Sequence, residues 1–441
     1  MSETSPVVVI EKMVAGGLGL AHLDSGKRVL VSDVLPDEHV QLRLFSEKKN
    51  HVIAEPEQIV QAAAQRVKPE CRYEARCGGC NLQHAAYPAQ LRVKQQMVSD
   101  ALQRVAGLPA EVAEAMPLPI KSETAFFYRQ RIRLHASKDG FGYRMKKSQR
   151  VVPIKRCLLA AEPLNEVLMQ VVSDYPWQAK RGLCDSISLQ LNPESSGVKL
   201  MLYCDLDFLR LELKAFARWA LQHDGVEAVF AEVKNRGVFT ADGKRAEGSE
   251  ALLLSAHIDG RRVSWETGRF FQVNLPQNQT MLDYVKQHLE LDKTSRVLDL
   301  YCGVGNFSLP LAERCHELLG VDSQGGAMRM ARLNAKEASL ENCRFQKGDA
   351  GLLAEKLVEK GEKFSHLLID PPRQGAAALL SSIAALGIEQ MAYVSCDPVT
   401  LARDLKQLLA QGWQLEKLQT FDLFPQTHHI ESVAILRRVA T

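Results

Sequence analysis

Features typical of membrane and secreted proteins are missing from this sequence. It contains no uncharged apolar run of about 18 residues, the length that a membrane-spanning helix needs. The first residues carry no basic region followed by an apolar stretch, the pattern of a secretory signal. The ten cysteines among 441 residues are too few and too unevenly placed for a disulfide scaffold. These absences predict a protein of the reducing cytoplasm with no membrane partner.

A strong overall charge is also missing, although one segment is basic. The formal net charge is +3, so the whole-chain balance does not indicate a nucleic-acid partner. Residues 121–160 nevertheless hold eleven lysines and arginines against two acids, a net charge of +9. Such a segment favours contacts with phosphate groups. The alternative is a solvated basic surface without a partner.

The chain has no internal repeat or low-complexity tract, and its pattern changes along its length in a way that predicts a multidomain α/β protein. Alternating apolar runs separated by turn residues predict a small β-barrel at the start of the chain. A segment with helical periodicity follows, then a second region of alternating residues that predicts antiparallel strands, and finally an alternation of strands and helices that predicts a parallel sheet. The predicted units are a barrel over 1–60, a linker with a cysteine cluster over 61–88, a helical segment packed on the last domain over 89–121, a mainly antiparallel β domain over 122–264, and a doubly wound, Rossmann-like parallel sheet over 265–441.

A glycine-rich turn in the last domain indicates a nucleotide-containing cofactor. The segment Asp299–Asn306 follows an apolar strand and opens a helix. The next strand ends in Asp322, an acid at the distance expected for a carboxylate that accepts both ribose hydroxyls. Asp349 follows a third predicted strand, where it can hold an adenine amino group. These residues alone leave NAD open as the cofactor.

The ends of the next two predicted strands indicate methyl transfer instead. Asp370-Pro371-Pro372-Arg373 ends the fourth strand, and Cys396 ends the fifth. Arg373 cannot provide the aromatic ring that methylases of exocyclic amines place after the two prolines. A thiol that adds to carbon 6 of uracil makes carbon 5 nucleophilic enough to attack a sulfonium methyl group. A buried, inert thiol is the ordinary alternative for a single cysteine.

A base is needed to remove the proton from carbon 5. The segment Phe424–Glu431 offers Glu431, His428 and His429 as candidates. Glu431 begins an apolar strand, where burial would raise its pKa.

Four cysteines have the spacing of metal ligands. Cys71, Cys77 and Cys80 lie close together, and Cys157 supplies a fourth thiol. Four thiolates suit zinc or an iron–sulfur cluster, and spacing alone favours zinc. The remaining cysteines are interpreted as packing residues: Cys184, Cys204, Cys302, Cys315 and Cys343.

These motifs together resemble the RNA uracil-5-methyltransferases that depend on S-adenosylmethionine, and most closely the iron–sulfur type that modifies 23S ribosomal RNA. The resemblance spans essentially the whole chain and is carried by three segments: Asp370–Gly375, Tyr393–Cys396 with Thr400, and Phe421–Glu431. It implies a TRAM domain at the N-terminus, and the protein is expected to be a monomer. The basic residues of segment 121–160 predict an RNA-binding role for the central domain. The target uridine is expected to flip out of the RNA, because the thiol and the methyl group have to reach its ring from different sides.

The resemblance also implies roles for individual residues. Cys396 is expected to be the nucleophile and Glu431 the base. The cysteines Cys71, Cys77, Cys80 and Cys157 are expected to hold a [4Fe-4S] cluster. The positions expected to bind S-adenosylmethionine or line the active site are Gln272, Tyr301, Asn306, Asp322, Asp349 and Asp370.

Two alternatives stay open, and one departure from the family bears on the chemistry. The same reaction on transfer RNA or on another ribosomal uridine is the first alternative, and a non-catalytic RNA-binding or redox-sensing protein that keeps the cluster is the second.

Tyr301 and Asp322 replace the family's frequent phenylalanine and glutamate. Asp397 stands where the family usually has asparagine. Its negative charge is expected to raise the pKa of the neighbouring thiol or to change its contacts.

Overall fold

The structure is a computed structural model that describes residues 6–175, 184–204 and 210–439. Within these ranges, no helix combines the length and the apolar character that crossing a membrane requires. The described chain forms three large sheets and one separate hairpin.

The N-terminal sheet has six strands in the order β1-β5-β6-β4-β3-β2. The strands are β1 Val7–Val9, β2 Lys12–Val14, β3 Leu18–His22, β4 Arg28–Val31, β5 His39–Glu47 and β6 His51–Gln61. Its buried side chains, among them Val29, Val40 and Leu42, form a core of their own. The two edge strands, β1 and β2, are separated by only two residues in sequence. Because the three Cα–Cα steps from Val9 to Lys12 span at most about 11 Å, the sheet must curve until its edges approach each other.

Helix α1, Tyr87–Ala101, joins this part of the chain to the last domain. Pro88 occupies the first turn, where its missing N–H is tolerated, and a π-helical turn over Leu102–Ala106 ends at Gly107. Val98 and Leu102 are buried in the core of the last domain. The short helix α2, Ala110–Glu114, follows. Beyond it the chain of segment 89–121 is extended, since the Ile120 amide donates to the Thr420 carbonyl at 2.8 Å.

The central sheet has seven strands in the order β13-β12-β11-β10-β7-β8-β9, and only β11 and β12 are parallel. Its strands are β7 Arg131–Ser137, β8 Gly140–Arg144, β9 Val151–Pro153, β10 Ser186–Leu191, β11 Val198–Cys204, β12 Val226–Val233 and β13 Gly237–Thr240. Its helices are α3 Glu162–Val167, which a π-helical turn over Leu168–Val172 extends, and α4 Arg210–Ala220.

The predicted boundary after residue 264 falls inside a strand. A 3₁₀ turn over Glu250–Leu252 leads into a hairpin of β14, Leu253–Ile258, and β15, Arg261–Glu266. Buried side chains of this hairpin, including Val263 and Trp265, lie in one core with the last sheet. The hairpin therefore packs as part of the last domain, because its apolar face is covered there.

The C-terminal sheet confirms the prediction of a doubly wound, Rossmann-like architecture. Its order is β18-β17-β16-β19-β20-β22-β21, with β16 to β20 parallel and β22 antiparallel to both of its neighbours, β20 and β21. The strands are β16 Arg296–Leu300, β17 Glu317–Asp322, β18 Cys343–Lys347, β19 His366–Ile369, β20 Gln390–Ser395, β21 Trp413–Phe421 and β22 Glu431–Arg438.

Helices cover this sheet, and a separate core lies on each of its faces. They are α5 Leu275–His288, α6 Ser308–Ala312, α7 Gly325–Glu337, α8 Ala350–Glu359, α9 Leu380–Ile383 flanked by 3₁₀ turns Ala377–Leu379 and Ala384–Leu386, and α10 Pro398–Ala410. The strand order reverses between β16 and β19. Ligands of doubly wound sheets bind at the carboxyl ends of the strands beside this point.

Candidate active site

The strand register brings the predicted site residues to one edge of the C-terminal sheet. Tyr301, Asp370 and Cys396 each follow the last residue of a parallel strand, whereas Asp322 ends β17. Ser395 of β20 pairs with Ser432 of β22, which runs antiparallel. Cys396 therefore lies beside Glu431, although 34 residues separate them in sequence.

A cavity of about 1300 Å³ opens at this edge. Every residue predicted for the cofactor and the chemistry lines it except His428: Gln272, Tyr301, Asn306, Asp322, Asp349, Asp370, Cys396, His429 and Glu431. The cavity also receives Arg373, an exposed side chain on the loop after β19.

The glycine-rich turn is shaped for close approach of a ligand. Tyr301 and Gly303 have positive φ angles of 66° and 56°, which turn the chain sharply after β16. The Gly303 amide donates to Asp322 Oδ2 at 3.2 Å, and the Gln324 amide donates to Oδ1 at 2.8 Å. These bonds fix the Asp322 carboxylate, and each of its oxygens keeps a further lone pair for ribose hydroxyls.

Two other polar residues of the site also have structural partners. Asn306 is buried and exchanges two hydrogen bonds with Asn278, each 2.9 Å long. Asp349 is exposed and caps α8 by accepting the Leu352 amide at 3.0 Å. Sequence reasoning missed Asn278, whose place opposite Asn306 follows only from the packing of α5.

Burial makes the reactive groups of this site hold their protons. It raises the pKa of Asp299 to about 8 and that of Asp370 to about 7. Burial, followed by the nearby Asp370, raises the pKa of Glu431 well above its ordinary value. The pKa of Cys396 rises to about 11, first through burial and then through Glu431 and Asp370, while Arg373 lowers it. A bound cation would therefore favour the ionised forms of these acids.

The two candidate histidines have ring centroids 4.2 Å apart, but only one of them lines the cavity. His429 lines the cavity, whereas His428 is hydrogen-bonded to Asn81, with 2.5 Å between its Nδ1 and Asn81 Nδ2. Burial lowers the pKa of His428 to about 4 and that of His429 to about 3. Both imidazoles are therefore neutral near pH 7, and the structure does not support the interpretation of His428 as a base that faces the substrate.

The expectation for Asp397 is not supported either. Its carboxylate caps α10 by accepting the amides of Val399 and Thr400 at 3.0 and 2.8 Å. The acids that raise the pKa of the neighbouring thiol are Glu431 and Asp370. Because aspartate and asparagine cap helices about equally well, this exchange preserves the turn after the cysteine.

The four spaced cysteines meet in a second, small cavity. Cys71, Cys77, Cys80 and Cys157 all line it. The buried Asn165 holds Cys157 by accepting its amide at 2.8 Å and donating to its carbonyl at 3.0 Å. Burial raises the pKa of Cys77 to about 11 and that of Cys80 to about 12. Arg129 lies near enough to Cys80 to lower that pKa.

The distances between these thiols bear on what they can hold. Among the described residues, no three of the four Sγ atoms lie within 4.8 Å of one another. Zinc with four thiolates at 2.3 Å in a tetrahedron would hold them about 3.8 Å apart. A cluster in which each cysteine binds a different iron spreads its ligands more widely.

The basic segment 121–160 is partly neutralised by acids that lie elsewhere in sequence. Lys146 pairs with Asp33 at 2.7 Å and with Glu74 at 2.9 Å. Arg131 donates to the Arg269 carbonyl at 2.9 Å, and Arg133 lies 3.7 Å from the centre of the Tyr203 ring. Other basic side chains of the segment are exposed: Lys121, Lys138, Arg144, Arg150 and Lys155. The net charge of +9 therefore overstates the charge available for phosphate contacts.

Comparisons with known proteins agree on the kind of enzyme that this chain resembles. A family model described as tRNA (uracil-5-)-methyltransferase matches residues 249–439. The 23S rRNA (uracil(1939)-C(5))-methyltransferase of Pseudomonas putida is 33% identical over 97% of this chain and 92% of its own length. The enzyme of the same name from Shewanella denitrificans is 34% identical over 95% of this chain and 93% of its own.

A solved structure shares the fold over nearly the whole chain. It is the tRNA (uracil-54, C5)-methyltransferase of Pyrococcus abyssi, determined with S-adenosyl-L-homocysteine. The match covers 97% of this chain and 99% of that one, with a TM-score of 0.73 and 24% sequence identity. At this identity the likeness concerns the fold alone.

Proposed function

Because this chain belongs to the RNA uracil-5-methyltransferase family, we propose that it transfers a methyl group from S-adenosylmethionine to carbon 5 of a uridine in 23S ribosomal RNA. The observation that carries the proposal is the register of β20 and β22, which sets the Cys396 thiol beside the Glu431 carboxyl group in an open cavity. A binding protein has no use for this pair. The choice of 23S RNA rests on the names of the relatives that are about one-third identical.

The methyl donor fits the cavity by shape and charge. The glycine turn and the fixed Asp322 carboxylate suit an adenosine ribose, and Asp349 lies at the neighbouring strand end for the adenine. The walls also carry Asp299 and Asp370, and a positively charged sulfonium group offsets the cost of ionising such buried acids. When bound, S-adenosylmethionine supplies an electrophilic methyl group. Gln272, Tyr301 and Asn306 complete the wall around it.

The chain's own residues then perform the remaining chemistry. Cys396 Sγ adds as thiolate to carbon 6, and the electron pair of the ring double bond moves onto carbon 5 and the carbonyl group. Carbon 5 takes the methyl group as the bond from that group to the sulfonium sulfur breaks and leaves a neutral thioether, and Glu431 as carboxylate removes the proton from carbon 5. The double bond re-forms as the bond between Sγ and carbon 6 breaks, and the proton passes from Glu431 to solvent. Arg373, whose charge lowers the pKa of both groups, favours their ionised forms.

The four-cysteine site is proposed to hold a [4Fe-4S] cluster. Four thiols that line one cavity form a complete donor set for a cluster, and the resemblance to the iron–sulfur type of methyltransferase favours a cluster over a single zinc ion. The residues that would hold it are Cys71, Cys77, Cys80 and Cys157. The positive charges of Arg129 near Cys80 and Lys146 near Cys77 would offset the negative charge of the thiolates.

The N-terminal sheet is proposed to be a TRAM-like barrel that helps the central domain hold the RNA. Its two edge strands are only two residues apart in sequence, which keeps the two edges of the sheet near each other. Exposed Phe45 on β5 offers a ring on which a base can stack, and Lys147 of the central domain lies 5.7 Å from its centre. The target uridine must leave the RNA stack to enter the cavity between Cys396 and the methyl donor.

The test is to map 5-methyluridine in ribosomal and transfer RNA from a strain that lacks the gene. We expect one modification to disappear from 23S RNA, and position 1939, named in the relatives, is examined first. The purified protein with S-adenosylmethionine should restore it. If 5-methyluridine disappeared from transfer RNA alone, transfer RNA would be the substrate. An unchanged pattern of 5-methyluridine in both RNAs would refute the proposal.

A further inference from the structure

Three segments that are distant in sequence meet at the side chains of Asn81 and His428. Asn81 Nδ2 lies 2.5 Å from His428 Nδ1, and the His428 amide donates to Asn81 Oδ1 at 2.8 Å. This pair of bonds fixes both ends of the asparagine amide. Gly17, in the turn between β2 and β3 of the N-terminal sheet, covers the pair.

The bonds around this pair attach the loop 422–430 to the segment that contains the cysteine site. The amides of Asn81 and Leu82 both donate to the Gln426 carbonyl, at 3.2 and 3.1 Å. The Gln90 side chain exchanges two bonds of 2.9 Å with Gln426, one to its amide group and one to its backbone. The backbone of loop 422–430 is therefore held at its centre by residues that follow the cysteine cluster.

A buried ion pair fixes the other end of the same loop. Lys94 and Asp422 are both fully buried, 2.5 Å apart, and Lys94 also donates to the Phe424 carbonyl at 3.0 Å. Lys94 lies on α1, which is anchored in the core of the C-terminal sheet. The ion pair thus ties the loop to the scaffold, whereas Asn81 ties it to the cysteine site.

The position of Asn81 in sequence gives this contact its significance. Asn81 directly follows Cys80, one of the four spaced cysteines, and His428 lies three residues before Glu431. A change in the backbone at Cys80 therefore reaches loop 422–430 through the next residue, whose side chain bonds to His428 and whose amide donates to the Gln426 carbonyl. A displacement of about 1 Å in a reacting group can cost a factor of about 100 in rate.

We propose that Asn81 is a positioning residue for methyl transfer: it sets loop 422–430, which bears His429 and leads directly into Glu431 at the start of β22, according to the geometry of the cysteine site. This rests on the proposed function. It gives the four cysteines a consequence for the turnover rate in addition to any contact with RNA. The pair with His428 is the point of transmission, and the turn at Gly17 keeps it closed.

The first test compares Asn81→Ala with the wild-type protein. We expect kcat to fall about 10- to 100-fold, while the iron content, the Kd for S-adenosylmethionine and the KM for RNA stay within about twofold. Asn81→Asp keeps the acceptor for the His428 amide but loses the donor to Nδ1, so its kcat should lie between the two. An Asn81→Ala enzyme with wild-type kcat would overturn the proposal, as would a fall in kcat that is matched by loss of iron.

A second test perturbs the pair from its other side, with a matched control in the same turn. A Cβ atom added at Gly17 would lie 2.8 Å from Asn81 Nδ2 and 2.8 Å from His428 Cβ. One added at Gly16 would meet nothing within 4 Å, and both glycines have positive φ angles, 86° at Gly16 and 70° at Gly17. Backbone strain is therefore common to Gly16→Ala and Gly17→Ala, and the clash is confined to the second.

We expect Gly17→Ala to lower kcat at least fivefold more than Gly16→Ala, with less than additive loss when it is combined with Asn81→Ala. Equal effects of the two alanines, or full additivity, would overturn the positioning role. A wild-type protein that methylates neither ribosomal nor transfer RNA would instead refute the proposed function. The two failures are thus distinguishable.

Discussion

The molecule contains one isolated thiol, Cys396, and one group of four thiols that includes Cys77. Burial raises the pKa of these two cysteines equally, yet their surroundings give them different chemistry. The pKa is about 11 at both Cys396 and Cys77. Cys396 stands alone at the edge of a large cavity, beside Glu431 and Asp370. Cys77 lines a small cavity together with three other cysteines.

The difference teaches that the neighbours of a thiol decide its use more than its pKa does. A thiol beside a carboxyl group and an open cavity can add to a substrate and have its product released by a base. Four thiols that face one another can all ionise only when a metal centre binds them, because its positive charge stabilises the buried thiolates. The following predictions test this contrast from the largest expected effect to the smallest.

Replacing the isolated thiol should have the largest effect. Cys396→Ala removes the nucleophile, so methylation and the covalent RNA adduct should both fall below detection, a loss of more than about 1000-fold. Denaturing electrophoresis with labelled RNA and a methyl-transfer assay measure the two. Cys343→Ala, in the same sheet but outside the cavity, is the matched control and should keep activity. Substantial activity in Cys396→Ala would remove this thiol from the mechanism.

Replacing the neighbouring carboxyl group should trap what the thiol forms. Glu431→Gln cannot accept the proton from carbon 5, so turnover should fall about 100- to 10 000-fold while methylated RNA accumulates on the protein. A retarded band that carries label from the methyl group is the expected result. Glu416→Gln, on the adjacent strand β21, is the control. Wild-type turnover of Glu431→Gln would transfer the role of base to His429 or water.

Disrupting the grouped thiols should affect the metal centre and the fold first. Cys80→Ser should lose iron and lower the free energy of unfolding by about 4 kcal/mol, because the remaining buried thiols lose their common ligand. Absorption spectra of anaerobically purified protein and thermal unfolding measure both. Cys184→Ala changes a buried cysteine in the core against which Cys157 packs, and it should keep the iron. Equal stability and iron-free activity in Cys80→Ser would contradict a structural cluster.

The contrast can be sharpened by weakening the RNA contacts while both thiol sites remain intact. Lys138→Glu with Arg144→Glu reverses two exposed charges of the central domain. RNA affinity should fall at least tenfold at low salt, and the slope of log K against log salt should flatten by about 1.4 if both residues contact phosphate. The control with the same charge change is Arg344→Glu with Lys356→Glu in the last domain. Equal losses in the two double variants would remove this surface from the RNA site.

The smallest effect concerns the pH dependence of cofactor binding at the isolated thiol's site. A cation favours ionised Asp370, whose pKa is about 7 in the free protein, so binding at pH 7 should release protons. Affinity for S-adenosylmethionine should therefore rise less than tenfold from pH 6 to pH 8. Calorimetry in buffers of different ionisation enthalpy measures the release. Asp370→Asn should reduce it, whereas Asp283→Asn, exposed on α5, should not.

Much of the C-terminal site follows from sequence because a doubly wound sheet obeys strong local rules. Apolar strands, the glycine turn and the acids after successive strands place Asp322, Asp370 and Cys396 at one edge. The helix over α1 was also predicted, from its periodicity. The boundary at residue 264 was misplaced, because the hairpin of β14 and β15 alternates like the central strands and only its packing assigns it to the last domain.

The rest depends on contacts between distant segments that no local pattern records. Nothing in sequence links Asn81 to His428, and the hypothesis that His428 is a base was therefore reasonable until the fold engaged its Nδ1 with Asn81 and left it out of the cavity lining. The basic segment also seemed free of counter-charges, since Asp33 and Glu74 lie outside it.

The sequence by itself determined which chemical groups stand at the ends of the strands: a glycine turn, acids, a thiol and a carboxyl group. It did so because the two-residue period of a strand and the turn residues that follow it fix which side chains lie at each strand end. Tertiary structure alone decided which of these groups meet. The antiparallel return of β22 set Glu431 beside Cys396, and the packing of loop 422–430 on residues 81–94 joined the cysteine site to the base. Such pairings depend on register and burial across hundreds of residues, and local propensity does not encode them.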